Sequence, residues 1–418
     1  MKATMPDIAT DIFRPHHATH PWIKFAFNIN DVTPRLWMLL GEARSKCEHI
    51  KGTPLRPTVA DTLHALFLAK GALATTAIEG NTLTEQEVLD HLAGRLKLPP
   101  SRQYLVQEID NIIEALNSIE GAVRRGHGDQ LTVSMIKGFN KHVLRNLPLE
   151  AGVVPGEFRA HQVTVGNIYR PVTPEDCAPL TKQVCEWLNG AAFRPTKEQP
   201  EMKFIGAVLR AILAHLYVAW IHPFGDGNGR TARLVEFQVL LAAGLPTPAA
   251  HLLSNHYNQT RTDYYRQLKA ASDSGGNVIP FIEYAVTGFV EGLREQLTFI
   301  RFQQWDIVWR NYVHEKFREE KGKSDQRRRH LVLDLSTLPA PVPRGKLREV
   351  SPRVAREYAG KTDKTLSRDL NALERMGLVR RQPDGYVPAR DAILSFLPII
   401  PLKSKGAAEA VGLAHDLG

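Results

Sequence analysis

The stretch "IHPFGDGNGRTAR", residues 221–233, constrains this chain more than any other. An apolar run ends at Trp220-Ile221, and Pro223 stops a helix there, since proline lacks the N–H and clashes with the preceding turn. "GDGNG" then packs three glycines into five residues, so backbone N–H groups can approach a ligand with no Cβ in the way. A second helix is expected from about Asn228. The free N–H groups and positive dipole end at its start make an anion site. Arg230 and Arg233 stand three apart on that helix and share a face near the same anion. Asp226 is an oxygen ligand beside it, which suggests Mg²⁺ shared between carboxylate and phosphates. His222 is a titratable base at the lip of the loop.

Base, metal ligand, amide cradle and two cationic clamps form a kit for phosphoryl or nucleotidyl transfer. Taken singly, the pieces are bland: a histidine beside a glycine loop is usually structural, and "DGNG" is a common turn. An EF-hand reading fails because position 12 from Asp226 is Phe237, where a bidentate glutamate is needed. A P-loop needs lysine followed by serine or threonine after its glycines, and here Arg230 stands before Thr231 with no lysine. Five chemistry-bearing residues within twelve positions argue against the bland reading.

The 418 residues suggest two or three domains. With 43% hydrophobic and 23% charged residues the composition is that of a soluble globular protein. No window approaches 18 uninterrupted apolar residues, so no membrane span is expected, and the N-terminus has no continuous apolar segment of a secretory signal. Three cysteines, Cys47, Cys177 and Cys185, are odd in number and lack metal-ligand spacing. They suggest reduced thiols and a cytoplasmic location. A net charge of +9 admits a polyanionic partner, nucleic acid or nucleotide, without requiring one.

Helical periodicity begins at Pro57 and runs through Val59, Leu63, Leu66, Phe67, Ala74, Ala77 and Ile78 to a stop at Gly80-Asn81. This run ends in "TTAIEGN", which places Glu79 at the negative end of a helix dipole, where an acid is disfavoured by up to about 1 kcal/mol. Thr84 with Glu87 reads as a capping box. Further helices are expected over about 103–124, 131–147, 176–189, 200–220, 228–243, 257–272 and 278–299. Residues 1 to about 55 give no clear pattern. Between them, 151–174 has glycines, prolines and the alternating run Val163-Thr164-Val165, and reads as a small hairpin or flap. A charged helix over 302–323 leads to a linker. In the C-terminal part, Leu366, Leu370, Leu373 and Met376 form a helical stripe stopped by Gly377. "LVRRQPDGYVPA" then reads as a hairpin with Asp384-Gly385 in its turn.

The motif 221–233 resembles the signature of the Fic (Fic/Doc) family, HPFx(D/E)GNGRxxR, with every fixed position filled. "LTVSMIKGFNKHVL", "PGEFRAHQVTVG", "YRPVTPEDCAPL" and "LSNHYNQTRTDYYRQLKAAS" look like family segments in family order, so the resemblance covers roughly residues 60–300. It implies transfer of AMP from ATP to a Ser, Thr or Tyr hydroxyl of a target protein, with the chain itself as one candidate target. His222 would take the hydroxyl proton and Asp226 would hold Mg²⁺ against the phosphates. Asn228 and the amides of Gly227 and Gly229 would cradle the phosphates, Arg230 would face the β-phosphate, and Arg233 the γ-phosphate. Phe224 would anchor the loop. Val163, Thr164 and Val165 would hold an extended target segment by strand addition, which an exposed β-edge supports physically. Tyr265 would wall the adenine, whereas Tyr264 is expected in the core. Transfer of UMP, phosphate or phosphocholine is an alternative.

The same resemblance gives "TTAIEG" a role, since it matches the inhibitory pattern [S/T]xxxE[G/N] with Thr75 four residues before Glu79. Glu79 would pair with Arg233 and block productive ATP binding; in some relatives this glutamate also serves hydrolytic AMP removal. The expected fold is mainly α: a Fic helical fold with a small β-hairpin flap, plus a C-terminal winged-helix domain. The expected division is 1–125, an N-terminal helical region with the inhibitory helix at about 58–80; 126–300, the catalytic core; 301–329, a helical linker; 330–395, a winged helix-turn-helix; and 396–418, a tail. Lys361, Lys364, Arg368, Arg380 and Arg381 of the winged unit are suited to DNA phosphates. A DNA-binding regulator with a nucleotide-sensing site, or a winged helix serving dimerisation in a homodimer, therefore stays open.

Overall fold

The structure, a computed structural model, describes residues 15–166, 169–193, 202–320 and 322–393; the expected tail over 396–418 lies outside them. The chain divides after Arg294 into two compact units. The first begins with α1 (Pro15–Thr19), α2 (Pro34–Lys51), α3 (Pro57–Ala77), α4 (Glu85–Leu92), α5 (Gln103–Arg124) and α6 (Val133–Val143). It continues with α7 (Pro174–Leu188), α8 (Met202–Ile221), α9 (Asn228–Ala242), α10 (Thr247–Ala250), α11 (Leu252–Gln259) and α12 (Arg261–Asp273). The start of α13 (Ile279–Lys316) completes it.

At the centre, α8 and α9 pack side by side, with α5 and α6 against α9 and α3 against α5, α9 and α11. α8 is long and apolar enough to cross a membrane by length and composition. Here Val208, Ile212, Leu216 and Trp220 and the residues between them, apart from half-buried Arg210 and Ala219, are buried among protein, as expected of a largely apolar helix at the centre of a core. Local signals set the ends of several helices. The Thr84 hydroxyl accepts the Glu87 amide at 3.2 Å and Glu87 returns a bond to the Thr84 amide at 2.8 Å, the expected capping box. At the end of α3, Asn81 N–H reaches Thr76 O at 3.2 Å and Gly80 N–H reaches Ala77 O at 3.0 Å. Gly80 has φ +107°, so this is a Schellman stop with glycine in the left-handed position.

Three expectations are corrected here. The expected helix over 257–272 is two helices that part at Thr260, whose backbone leaves the helical region at φ −115° and ψ 40° while its hydroxyl bonds back to His256 O at 2.7 Å and meets Tyr284 Oη at 2.6 Å. A side chain that takes up a backbone partner in this way competes with helical bonding. The expected helices over 278–299 and 302–323 are the single α13. The shift from apolar to charged residues near 300 changes what the helix faces, and no glycine or proline stands there to break it. The expected linker 301–329 carries core: Trp309, Val313 and Phe317 are buried with Leu331.

The second unit adds α14 (Lys323–Leu335), α15 (Pro352–Tyr358), α16 (Asp363–Arg375) and an antiparallel hairpin, β1 (Val379–Gln382) with β2 (Gly385–Pro388). Leu366, Leu370 and Leu373 are buried, Met376 packs against the same core, and Gly377 stops α16 at φ +70°. Asp369 on α16 is buried and held by Arg327 Nε at 2.8 Å, Arg328 Nε at 2.9 Å and Tyr358 Oη at 2.9 Å. The hairpin turn differs from expectation. Gln382 pairs with Gly385, so Pro383-Asp384 form the loop. Gly385 serves a close approach instead, since a Cβ there would lie 2.3 Å from Val342 O.

Candidate active site

The loop 222–227 joins α8 to α9. His222 still donates its N–H to Val218 O at 2.9 Å, as a helical residue would, but its φ is +49°. A non-glycine residue there carries strain of about 1–3 kcal/mol and persists only where its surroundings enforce it. Arg159 supplies the enforcement: its Nε donates to His222 O at 2.9 Å and its N–H to Pro223 O at 3.0 Å. Its remaining donors go to His161 O at 3.0 Å and to Val172 O. The ring of His222 donates Nδ1–H to Ala219 O at 3.4 Å, which leaves Nε2 with its lone pair. Burial pushes the His222 pKa down to about 4, against the opposing pull of Glu79 and Asp226. The imidazole is therefore neutral near pH 7 and able to accept a proton.

Beyond it the loop is pinned by amide side chains. Asn228 closes a reciprocal pair with Phe224, donating to its carbonyl at 2.8 Å and accepting from its N–H at 2.9 Å. Phe224 is buried and stacks on Phe158 with centroids 5.6 Å apart. Asn140 of α6 donates to Asp226 O at 2.8 Å and accepts Gly156 N–H at 2.9 Å. Gly227 has φ +74°, and a Cβ on it would press on Val143, Asn140 and Leu144. Two cradle donors expected from the sequence are thus engaged within the loop: the Asn228 side chain by Phe224, and the Gly227 amide by Asp226 Oδ1. The amides of Asn228, Gly229 and Arg230 precede the first α9 bond, Thr231 N–H to Gly227 O at 2.9 Å. They are the ones that can face an anion.

Both arginines of the motif are buried and both hold acids. Arg233 Nη2 donates to Glu79 Oε1 at 2.6 Å and to Thr75 O at 2.8 Å, while its Nε and Nη1 have no partner among the described residues. Thr75 therefore enters the site through its backbone carbonyl. Burial raises the Glu79 pKa, but the Arg233 charge and hydrogen bond, with Arg230 and His222 behind them, bring it below the usual carboxylate value. A Cβ on Gly229 would lie 2.0 Å from Glu79 Oε1, so the carboxylate rests against the first turn of α9 where only glycine leaves room. Arg230 donates to Glu108 Oε1 at 2.9 Å and to Asp226 Oδ1 at 3.2 Å.

Among the other expected residues, Tyr265 is 43% exposed with Arg261 6.0 Å above its ring, whereas Tyr264 is buried and bonds His215 Nε2 at 2.8 Å. The expected flap is a single bridge, Val165 with Tyr169, exchanging hydrogen bonds of 2.8 and 3.1 Å. Val163 and Thr164 form no ladder, and Thr164 is exposed between half-buried Val163 and Val165. Sequence reasoning missed Glu108, Asn140 and Arg159. Asn140 and Arg159 had a signal: a polar residue on the apolar face of α6, and a lone arginine in "GEFRAHQV" followed by no acid. Glu108 sits beside the buried stripe Leu105, Ile109 and Ile112 of α5.

A model of the Fic/DOC family matches residues 130–240. The chain is 30% identical over 211 residues to protein adenylyltransferase fic-1 of Caenorhabditis elegans, a match covering 50% of this chain and 37% of that protein. It is 31% identical over 211 residues to protein adenylyltransferase Fic of Drosophila ananassae, covering 50% and 38%. The chain thus spans less than half the length of these curated relatives. The solved structure of residues 134–508 of C. elegans Fic-1 shares the fold at a TM-score of 0.51, with 24% identity over 64% of this chain and 73% of that one. A Fic family protein from Desulfovibrio desulfuricans G20 shares it at 0.50 and 19% identity, over 89% of this chain and 95% of that one. The domain match spans the loop between α8 and α9, and residues 130–240 carry a Fic/DOC domain.

Proposed function

We propose that this chain is a protein adenylyltransferase that moves AMP from ATP to a Ser, Thr or Tyr hydroxyl of a target protein. The observation that carries the reading is the placing of a neutral His222, its Nδ1 committed to Ala219 O, at the open start of α9 beside two buried arginines. His222 Nε2 takes the hydroxyl proton as the oxygen bonds to the α-phosphorus. The bond from that phosphorus to the α–β bridging oxygen breaks, and pyrophosphate leaves with the electron pair. The amides of Asn228, Gly229 and Arg230 and the dipole of α9 stabilise the phosphate charge. Arg233 suits the γ-phosphate through the two donors that lack partners. Tyr265 offers an open ring face to the adenine, and the Thr164 edge offers strand pairing to the target.

Asp226 fits Mg²⁺ as a single, half-exposed carboxylate, because Mg²⁺ takes one or two carboxylates and fills its shell with phosphate oxygens and water. No group of three or more His, Cys, Asp or Glu stands ready as a cage among the described residues. When bound, the ion would neutralise the phosphates.

The pairing of Glu79 with Arg233 supports an autoinhibited resting state, since it fills the clamp proposed for the γ-phosphate. Glu79→Gly should raise transfer of label from α-labelled ATP to protein by tenfold or more, about the value of one charge-assisted hydrogen bond regained. His222→Ala in that background should abolish it. Intact mass after incubation with ATP and Mg²⁺ identifies the group transferred. Unchanged labelling in Glu79→Gly would remove the autoinhibition reading, and labelling that survives His222→Ala would remove the proposed base.

A further inference from the structure

Arg230 is held as firmly as Arg233, and by an acid with no place in the motif. Glu108 of α5 accepts Arg230 Nη1 at 2.9 Å on one oxygen and Asn81 Nδ2 at 2.8 Å on the other. Asn81 is buried. Its amide also donates to Leu105 O at 2.9 Å, its side-chain oxygen accepts Leu83 N–H at 3.0 Å, and its own N–H closes the stop of α3 on Thr76 O. It follows Glu79 by two residues in the same turn. A continuous path therefore runs from the turn bearing Glu79, through Asn81 and Glu108, to Arg230 and Asp226.

We propose that Glu108 is a second acidic lock on the site, occupying Arg230 as Glu79 occupies Arg233, and that Asn81 couples the two locks through their shared turn. The inference rests on the nucleotide-transfer reading and deepens it. Arg230 is 5% exposed and its Nε has no partner among the described residues, so its two Nη atoms carry its recognition. Those are the atoms a phosphate would take in a forked contact. Glu108 fills one of them and Asp226 the other, and Asp226 has a competing role as the candidate metal ligand. A phosphate reaching Arg230 must displace the Glu108 carboxylate or lie against it, and two like charges at that distance repel. The acids divide the phosphate chain between them: Glu79 opposes the γ-phosphate and Glu108 the β-phosphate.

That division makes the lock measurable with nucleotides of different length. Binding of AMP, ADP and ATP, each with Mg²⁺, is titrated calorimetrically on the full chain as wild type, Glu79→Gly, Glu108→Gln and the double variant. Glu108→Gln should raise ADP affinity relative to AMP by about tenfold, as expected when a charged competitor for one arginine is removed. Glu79→Gly should chiefly raise ATP relative to ADP. Coupling through Asn81 predicts that the double variant gains less for ATP than the product of the single gains; gains that multiply would sink the link. Glu108→Asp, which keeps the charge but shortens the reach, should move the ADP to AMP ratio the same way by less, and thermal melting confirms that each variant is folded. A ratio unchanged in both Glu108 variants, with nucleotides still bound, overturns the lock alone. If no nucleotide binds even to Glu79→Gly, the nucleotide-site reading falls and the lock falls with it.

Discussion

Glu79 belongs to one helix and answers to another. At the end of α3 its charge faces the negative pole of a dipole. Across the core, the same carboxylate lies against the first turn of α9, at the positive pole, with Arg233 2.6 Å away. Burial pushes its pKa up, but the charge and hydrogen bond of Arg233, with Arg230 and His222 behind them, outweigh that and bring it down. Glu236, one turn beyond Arg233 on α9, shows the opposite balance. It accepts Tyr257 Oη at 3.0 Å and lies 3.7 Å from His215 Nδ1. Burial raises its pKa to about 8, and Tyr257 and Arg233 offset only part of that. The protonated acid is thus favoured in the fold, and stability present below pH 4.5 is lost as pH rises from 4.5 to about 8, by up to about 1.4 kcal/mol per unit. The buried His215 works in the other direction: its pKa is lowered to about 3, so the stability it gives above pH 6.5 is lost on acidification. Glu236→Gln should remove the alkaline slope, and melting temperatures of the two proteins at pH 6 and pH 8 would display it.

At the scale of elements, α6 and the segment 156–172 build the site by holding its loop. Asn140 supplies one donor to Asp226 O, half-buried, and one acceptor to Gly156 N–H, in the interior. Asn140→Ala leaves those two groups unpaired, and at about 1–3 kcal/mol for each buried group it should lower the melting temperature by several degrees. Label transfer should fall with it, since the Asp226 backbone loses its tether. A melting temperature equal to wild type would show that water replaces the amide. Elements of this kind divide what the residues alone reveal from what they do not. α3, α4 and α5 were legible because periodicity, a capping box and a glycine stop are local, and the loop 222–233 because its chemistry is contiguous. The continuity of α13 was hidden by a change in the surface it faces, and the Pro383-Asp384 turn by a glycine needed for its neighbour Val342. Glu108 and Arg159 act across distances in sequence of 122 and 63 residues, and no short window contains such a pairing.

For the molecule as a whole, two units mean two cores that answer to different changes. In the second unit Asp369 is 1% exposed and balances Arg327 and Arg328. Asp369→Ala takes the acid partner from Arg327 and leaves Arg328 with Asp325 alone, and breaking a buried pair on one side typically costs about 3–5 kcal/mol. Scanning calorimetry should then show one transition falling while the transition raised by ATP stays in place; a common fall of both would mean that the units melt together. The first unit has a further property at this scale, which follows from where α3 is packed. Ala69, Ala72, Ala74, Thr75 and Thr76 are buried in it, so the carboxylate of Glu79 is fixed to the core rather than carried on a free arm. An acid so tethered is a ligand at a constant and high effective concentration. Diluting the protein does not weaken it, and soluble carboxylates cannot mimic it. On the proposed reading, ATP does not meet an inhibitor that comes and goes. It competes with a resident one, and its apparent affinity is its intrinsic affinity reduced by the fraction of molecules in which that resident has stepped aside.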